Sequence, residues 1–280
     1  MKKIKILLTI IFIIGLLVAY SYYIEPKLMT FHEYEIKNSN ITSNFDGFKI
    51  IHISDIHYGR VFDKKQMKKL VKSINDQKPD VVVLTGDLID EDTKMTINLS
   101  SEISTELSKI NALVGKYAIS GNHDLKFDEW SNIITNSNFK NLNNTYDTIY
   151  KDGYNNMLIA GVSTSKDKQS INDKLNPTIE YINSFEKDGP IYKILLMHEP
   201  DQIDEISDNK FDLILSGHSH AGQIRTFFGP ITLPDGATKY YDNHYKIENA
   251  DLYISNGLGV SNYNFRFLNI PSYNIYKFKK

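Results

Sequence analysis

Asp80-Val81-Val82-Val83-Leu84-Thr85-Gly86-Asp87-Leu88-Ile89-Asp90 is the stretch that decides how this chain folds. Its first half is an unbroken, β-branched apolar run, the composition of a strand covered on both faces. Its second half turns polar, with a glycine suited to a tight turn and two carboxylates beyond it. Similar runs stand at Phe48–Ser54, Lys116–Ser120, Met157–Val162, Ile191–Met197, Phe211–Ser216, Leu252–Ser255 and Tyr273–Phe278, and Phe31–Ile36 alternates like an edge strand. Between them lie helical stripes. Met67, Leu70, Val71 and Ile74 recur at i, i+3, i+4 and i+7 after Asp63, a good N-cap residue, and stop before Pro79. Ile103, Leu107 and Ile110 make a second stripe, Trp130, Ile133 and Ile134 a third, and Ile179, Ile182 and Phe185 a fourth. Repeated strand–helix–strand order predicts an α/β fold with helices outside the sheet. The asparagine-rich stretch Asn132–Thr145 reads as a loop.

Five of the strand runs end in metal-capable residues. They are Ile53-Ser54-Asp55-Ile56-His57, Thr85-Gly86-Asp87, Ser120-Gly121-Asn122-His123-Asp124, Met197-His198-Glu199 and Ser216-Gly217-His218-Ser219-His220. In α/β sheets ligands bind beyond the carboxyl ends of strands, so these five ends would converge on one crevice. Asp55 and His57 are two apart, as are His218 and His220, which on extended backbone aims each pair one way. Five of the eight histidines fall in these blocks; His32, His52 and His244 do not, and His52 reads as structural. Taken singly, Asp55 or Asp87 after a strand reads as a helix cap, and His198 as a satisfied core histidine. Taken together they read as ligands. Carboxylates, imidazoles and one amide suit manganese, iron or zinc, and they outnumber the needs of one four-coordinate ion. Two ions sharing a carboxylate fit the number.

Composition narrows the class further. The chain has 280 residues, 41% of them hydrophobic and 24% charged, which is ordinary globular usage. Lys plus Arg is 32 against 34 for Asp plus Glu, so no nucleic-acid partner is expected. The absence of cysteine excludes disulfide scaffolds, thiolate metal sites and cysteine nucleophiles. At the amino end Lys2, Lys3 and Lys5 precede the uncharged run from Ile6 to Ile24, which at about 1.5 Å per residue comes close to a bilayer core of ~30 Å. Ala19-Tyr20-Ser21 leaves a cleaved signal peptide open, while the length and Tyr20, Tyr22 and Tyr23 favour an uncleaved anchor. The expected organisation is a transmembrane signal-anchor over 1–24, a stalk and edge segment over 25–44, and one catalytic domain over 45–280. With the lysines inside, the protein would be single-pass in the cell membrane, its catalytic domain extracytoplasmic.

D-x-H, G-D-x-x-D, G-N-H-D, a lone histidine after a strand and G-H-x-H, in that order from Phe45 to Phe267, resemble the calcineurin-like metallophosphoesterases. Phe45–Ile50, Thr85–Asp90, Gly217–Ile224 and Asn256–Gly259 are similar to a membrane-anchored bacterial branch whose members hydrolyse phosphodiesters or pyrophosphates, a UDP-diacylglucosamine pyrophosphatase among them. The resemblance implies a four-layer α-β-β-α sandwich. It implies two divalent ions, one held by Asp55, His57, Asp87 and His220 and one by Asp87, Asn122, His198 and His218, with Asp87 bridging. It implies that His123 meets the phosphoryl group and that Asp124 orients His123 by bonding its other nitrogen. The reaction implied is in-line attack by a metal-bridging hydroxide on a phosphodiester or pyrophosphate, the anchor pointing to a lipid-linked or cell-wall substrate. Ala221 departs from the branch's glycine, and Asn269-Ile270-Pro271-Ser272 follows Arg266 where the branch reads Pro-Glu. Two other functions stay open: a non-catalytic metal-binding surface scaffold, and a phosphodiesterase or protein phosphatase for soluble substrates. So do the roles of three side chains. Asp90 could brace a metal-bound histidine or cap a helix, and Gln223 and Arg225 could meet substrate or solvent. The late aromatics, Phe227, Phe228, Tyr263 and Phe265 among them, read as packing or as an apolar wall for a lipid tail.

Overall fold

Successive side chains on a strand face opposite ways, so an unbroken apolar run needs cover on both sides. The computed structural model describes residues 1–153, 156–164, 169–185, 189, 191–207 and 209–280. It supplies that cover with two six-stranded sheets packed face to face and helices on both outer sides. The first sheet holds β1 (Thr30–Lys37), β2 (Lys49–Ile53), β3 (Val81–Thr85), β4 (Gly115–Ile119), β5 (Lys140–Asn141) and β14 (Ser272–Lys279), in the order β1-β14-β2-β3-β4-β5. The second holds β6 (Thr145–Tyr150), β7 (Asn156–Gly161), β8 (Tyr192–Leu196), β9 (Leu213–Ser216), β12 (His244–Ile247) and β13 (Ala250–Ile254), in the order β12-β13-β9-β8-β7-β6. A hairpin of β10 (Arg225–Thr226) and β11 (Gly229–Pro230) stands apart from both sheets.

Residue parity sorts the core. Ile50, Val81, Val83 and Ile119 enter the space between the sheets, where Ile159, Ile194, Leu196 and Leu215 meet them. One position along, Ile51, Val82 and Leu84 face outward onto α2 (Lys64–Asp76), α3 (Ile97–Ser108) and α4 (Trp130–Asn136). Leu158, Leu195, Ile214 and Leu252 do the same on the far side, against α5 (Ile171–Asn183). The expected four-layer α-β-β-α sandwich is therefore what the strand alternation builds. Within it β2, β3 and β4 run parallel, as do β7, β8, β9 and β13, so their carboxyl ends leave together.

The predicted strands are all present, and Asp63 caps α2 by accepting from the Gln66 amide. Three edge strands escaped the sequence reading, β5, β6 and β12, because short or half-exposed edges carry polar residues that mask the apolar signal. The stretch Asn132–Thr145 is a loop only in part: α4 continues to Asn136, with Ile133 and Ile134 fully buried, and β5 follows. The predicted stripe in α5 holds at Ile179 and Ile182, which pack against the far-side core, and fails at Phe185, beyond the helix end. Ile171, Leu175 and Thr178 are buried, whereas Phe185 is 38% exposed. The Ser170 side chain caps the helix by accepting from the Asp173 amide, so the apolar face begins at Ile171, ahead of the predicted stripe.

At the amino end α1 (Lys2–Tyr23) is apolar and exposed along almost its whole length, the one candidate membrane span among the described residues. Its last turn is fastened to the domain: the Ser21 carbonyl accepts from the Arg266 amide at 3.0 Å, and Glu25 Oε1 accepts from the Asn269 amide at 2.7 Å. Ser21 and Glu25 are both buried.

Leu196 has no exposed surface and sits between the sheets. Leu196→Ala should cost about 2–5 kcal/mol, the range for a buried leucine, read as a lower urea midpoint at unchanged slope.

Candidate metal centre

The carboxyl ends of β2, β3, β4, β8 and β9 deliver Asp55 and His57, Asp87, Asn122 and His123, His198, and His218 and His220. The first two loops are laced together, the Asp55 amide donating to Gly86 O and the His57 amide to Asp87 O, both at 3.0 Å. Asp55, His57, Asp87, His218 and His220 all adopt left-handed backbone, with φ between 45° and 67°. The side chains within each D-x-H and H-x-H pair therefore converge through turns, and not through the extended backbone expected of them. Each left-handed residue costs about 1 kcal/mol or more and persists because the surrounding loops over-determine it.

Asp87 lies at the centre. Its Oδ2 is 3.4 Å from His198 Nε2, 3.7 Å from His57 Nε2 and 3.9 Å from His123 Nε2, and its Oδ1 accepts from the His123 amide at 2.9 Å. On one side of it His220 Nε2 sits 3.5 Å from Asp55 Oδ1 and 3.1 Å from His57 Nε2. On the other, His198 Nε2 is 3.1 Å from Asn122 Oδ1, and His218 completes a cluster with Asp87 and His198. Small residues make this possible. A methyl on Gly121 would lie 2.3 Å from Asp87 Oδ1, so that position admits no side chain.

The outer hydrogen bonds set the imidazole tautomers. His198 Nδ1 is 2.7 Å from Thr85 O and His218 Nε2 is 2.7 Å from Asp235 O. Each of those nitrogens donates to a carbonyl, so in the neutral ring the opposite nitrogen is the one with a lone pair for the centre. Asp90 braces His57: its Oδ2 lies 3.5 Å from His57 Nδ1 and 2.9 Å from Arg60 Nε. Asp90 Oδ1 also accepts from the Asp92 amide at 3.2 Å, so the carboxylate faces His57 and closes its own turn. The burial that would raise its pKa is outweighed by His57 and Arg60, which pull it down to about 2.

Asp124 is placed otherwise than expected. Its carboxylate accepts from the Ile89 and Gly121 amides at 3.1 and 3.0 Å, tying the β3 and β4 loops together, and does not bond His123. His123 Nδ1 instead accepts from the Glu91 amide at 3.2 Å. Burial, and the nearby Asp87 charge, raise the Asp124 pKa. Gln223 is occupied with the Ser261, Tyr263 and Phe265 backbone, and Arg225 with Ala221 O and Asp242. His52 is structural, bonded to Thr85 Oγ1 at 2.7 Å.

Arg266 is the residue whose role the sequence reading did not see. It is fully buried, its guanidinium donates to the carbonyls of Asn256, Gly257, Gly259 and Asn269, and Nη2 lies 3.2 Å from His220 Nδ1. Burial lowers its pKa to about 9 against the charges of Asp55 and Glu25. Asn269 adds a bond from its amide to His220 O at 2.5 Å. The break in the branch's pattern after Arg266 was the available signal.

The donor set fits divalent cations. Three overlapping clusters, Asp55-His57-His220, His57-Asp87-His123 and Asp87-His198-His218, place candidate ligand atoms within 4.8 Å of one another. Two imidazole nitrogens face each other at 3.1 Å beside a carboxylate, an arrangement that a shared cation satisfies better than a hydrogen bond. The clusters open on a cavity of about 730 Å³ lined by Asp87, Asn122, His123, His218 and His220 together with Ile224, Leu233 and Tyr263.

This geometry agrees with what the chain is similar to. The profile of the calcineurin-like phosphoesterases matches residues 48–222, and the chain belongs to that family. It is 34% identical to the uncharacterized metallophosphoesterase YkuE of Bacillus subtilis, over 93% of this chain and 89% of that protein. It is 25% identical to a transmembrane protein with metallophosphoesterase domain of Danio rerio, over 84% of this chain and 53% of that one. Among solved structures, the NAD nucleotidase of Haemophilus influenzae superposes with a TM-score of 0.50 at 17% identity, over 76% of this chain and 45% of its own, a likeness of fold. The protein is thus a phosphoesterase hydrolase of a family that uses two divalent metal ions.

His198 supplies a pH test. Burial would lower its pKa, but the Asp87 charge and hydrogen bond raise it from 6.5 to about 10. A folded value above the unfolded one stabilises the cation-free protein fully below pH 6.5, and that stability is lost as pH rises towards about 10. The urea midpoint of chelator-treated protein should therefore fall over this interval, and Asp87→Asn should flatten the fall. With Mn²⁺ present the sign should reverse, since the cation replaces the proton and binds more tightly as pH rises.

Proposed function

We propose that the chain is a membrane-anchored, two-metal hydrolase of phosphodiester or pyrophosphate bonds whose catalytic domain lies outside the cytoplasm. One observation carries this reading: seven donor residues from five strand ends gather with Asp87 at their centre, four of them lining a single cavity, with His123 beside them. Asp55, His57, Asp87 and His220 would hold one cation, and Asp87, Asn122, His198 and His218 the other. Bound there, the cations would lower the pKa of water and offset charge on the phosphoryl group.

The protein's own groups supply the rest. The Glu91 amide donates to His123 Nδ1, which leaves the neutral ring with its proton on Nε2, the nitrogen that faces Asp87. Burial lowers the His123 pKa and favours that neutral form. His123 can therefore donate to a phosphoryl or leaving-group oxygen. Asp124 holds the two loops that position His123 and Asp87. No lysine or arginine is among the described residues lining the cavity, so a singly charged diester fits better than a dianionic terminal phosphate. Ile224, Leu233 and Tyr263 offer apolar surface for the rest of the substrate. The Ser21 and Glu25 contacts support a retained anchor, because cleavage near Ser21 would remove part of a buried joint.

With Mn²⁺, the full chain in detergent should turn over bis-p-nitrophenyl phosphate in preference to p-nitrophenyl phosphate. Asp87→Ala should abolish turnover and cation loading together. His123→Asn should lower kcat about 100- to 10,000-fold with the cations still bound. Monoester preference, or an active Asp87→Ala, would sink the assignment.

Topology is testable because the chain has no cysteine of its own. Lys280→Cys on intact cells should react with a membrane-impermeant maleimide, and labelling only after lysis would place the domain inside.

A further inference from the structure

The hairpin of β10 and β11 breaks the ordinary rule for its type. Two-residue turns favour glycine, asparagine or aspartate, yet this one carries Phe227 and Phe228 at its tip, 94% and 100% exposed. The tip is nonetheless ordered: the Thr226 hydroxyl donates to Gly229 O and accepts from the Phe228 amide, each at 3.1 Å. Thr226 to Pro234 carry no charge, and Ile231 is 61% exposed. Tyr263, 71% exposed, borders the metal-centre cavity and a second cavity beside it. Nothing in the core requires this apolar surface.

Its position says what covers it. Tyr22, in the last turn of α1, lines the second cavity with Ile224 and Tyr263, and Ile224 and Tyr263 also line the metal-centre cavity. Leu17 and Tyr20 line a third cavity with Arg225, the first residue of the hairpin, and with Leu268 and Ile270. The domain therefore reaches alongside the final two turns of α1, and those turns belong to the apolar run that ends at Ile24. The bonds from Arg266 to Ser21 and from Asn269 to Glu25 hold the helix end in that relation. Aromatic side chains at such a level suit the headgroup zone, where one side is apolar and the other wet.

We propose that the Phe227-Phe228 tip, with Ile231 and Tyr263, is a second membrane contact. It enters the outer leaflet beside α1 and holds the mouth of the metal-centre cavity against the lipid. The proposal rests on α1 lying in the bilayer, as read above, but not on the catalytic chemistry. Its consequence for that chemistry is a substrate class: amphiphiles whose phosphodiester or pyrophosphate headgroup reaches the cavity while the tail stays in the leaflet.

The test uses the full chain in phosphatidylcholine vesicles, with Phe228→Trp and, separately, Ile14→Trp as a report on the anchor. Trp130 is the chain's sole native tryptophan and is buried in the core, so its signal is subtracted from wild type. Thermal midpoints equal to wild type would certify the fold of both variants. In vesicles of brominated phosphatidylcholine, the indoles introduced at positions 14 and 228 should each lose most of their added emission. The indole at position 228 should also be blue-shifted relative to a tryptophan amide in water. Quenching at position 14 without quenching at position 228 would overturn the hairpin contact and leave the anchor standing. A blue-shifted but unquenched indole at position 228 would also overturn it, by assigning the tip to a protein partner. Quenching at neither position would remove the anchor, and this proposal with it.

Discussion

A carboxylate buried at the junction of five strand ends must be neutralised, and the surroundings of Asp87 are arranged to do so. Three imidazoles stand within 3.4–3.9 Å of its Oδ2, and the His123 amide donates to Oδ1. Burial alone would raise its pKa, yet His198, His57 and His123 together hold it well below the ordinary carboxylate value. The rest of the centre follows from this grouping. The strands must be parallel for their ends to meet, and position 121 must lack a side chain for Asp87 to fit.

Convergence has a conformational cost. Five of the seven donor residues sit in left-handed backbone, and the neighbouring loops must hold them there. Asp124 ties the β3 loop to the β4 loop through two amides, and Arg266 ties the loop after β13 to His220. Charge in these positions acts on backbone geometry more than on substrate. Arg266 has a second consequence, because its own amide holds the end of α1. The joint between α1 and the domain is therefore built from the same segment that braces a candidate metal ligand.

That joint fixes α1 against the domain. A helix tethered by a flexible stalk would leave the domain free to turn relative to it. Here the segment after α1 is packed: Glu25 and Pro26 are buried, and β1 pairs in parallel with β14 along its whole length. The cavity and the aromatic hairpin are thus carried at a set height relative to the helix end.

The sequence by itself determined the α/β class, the strands that need cover on both faces, and the donor set of the candidate metal centre. Those are properties of local pattern: apolar runs at Asp80–Thr85 and its counterparts, polar residues directly after them, and glycines at the turns. The motif order was also enough to indicate the family. Tertiary structure alone decided the partners. Asp124 meets amides 35 and three residues away and not the adjacent His123, and Arg266 reaches His220 46 residues back. Hydrogen-bond direction and loop curvature settle such pairings, and neither is written in residue type or spacing. The same holds for Phe227 and Phe228, which composition groups with core aromatics and which the folded chain leaves wholly outside it. Whether an apolar residue is core or surface depends on what packs above it, and for this hairpin tip nothing among the described residues does.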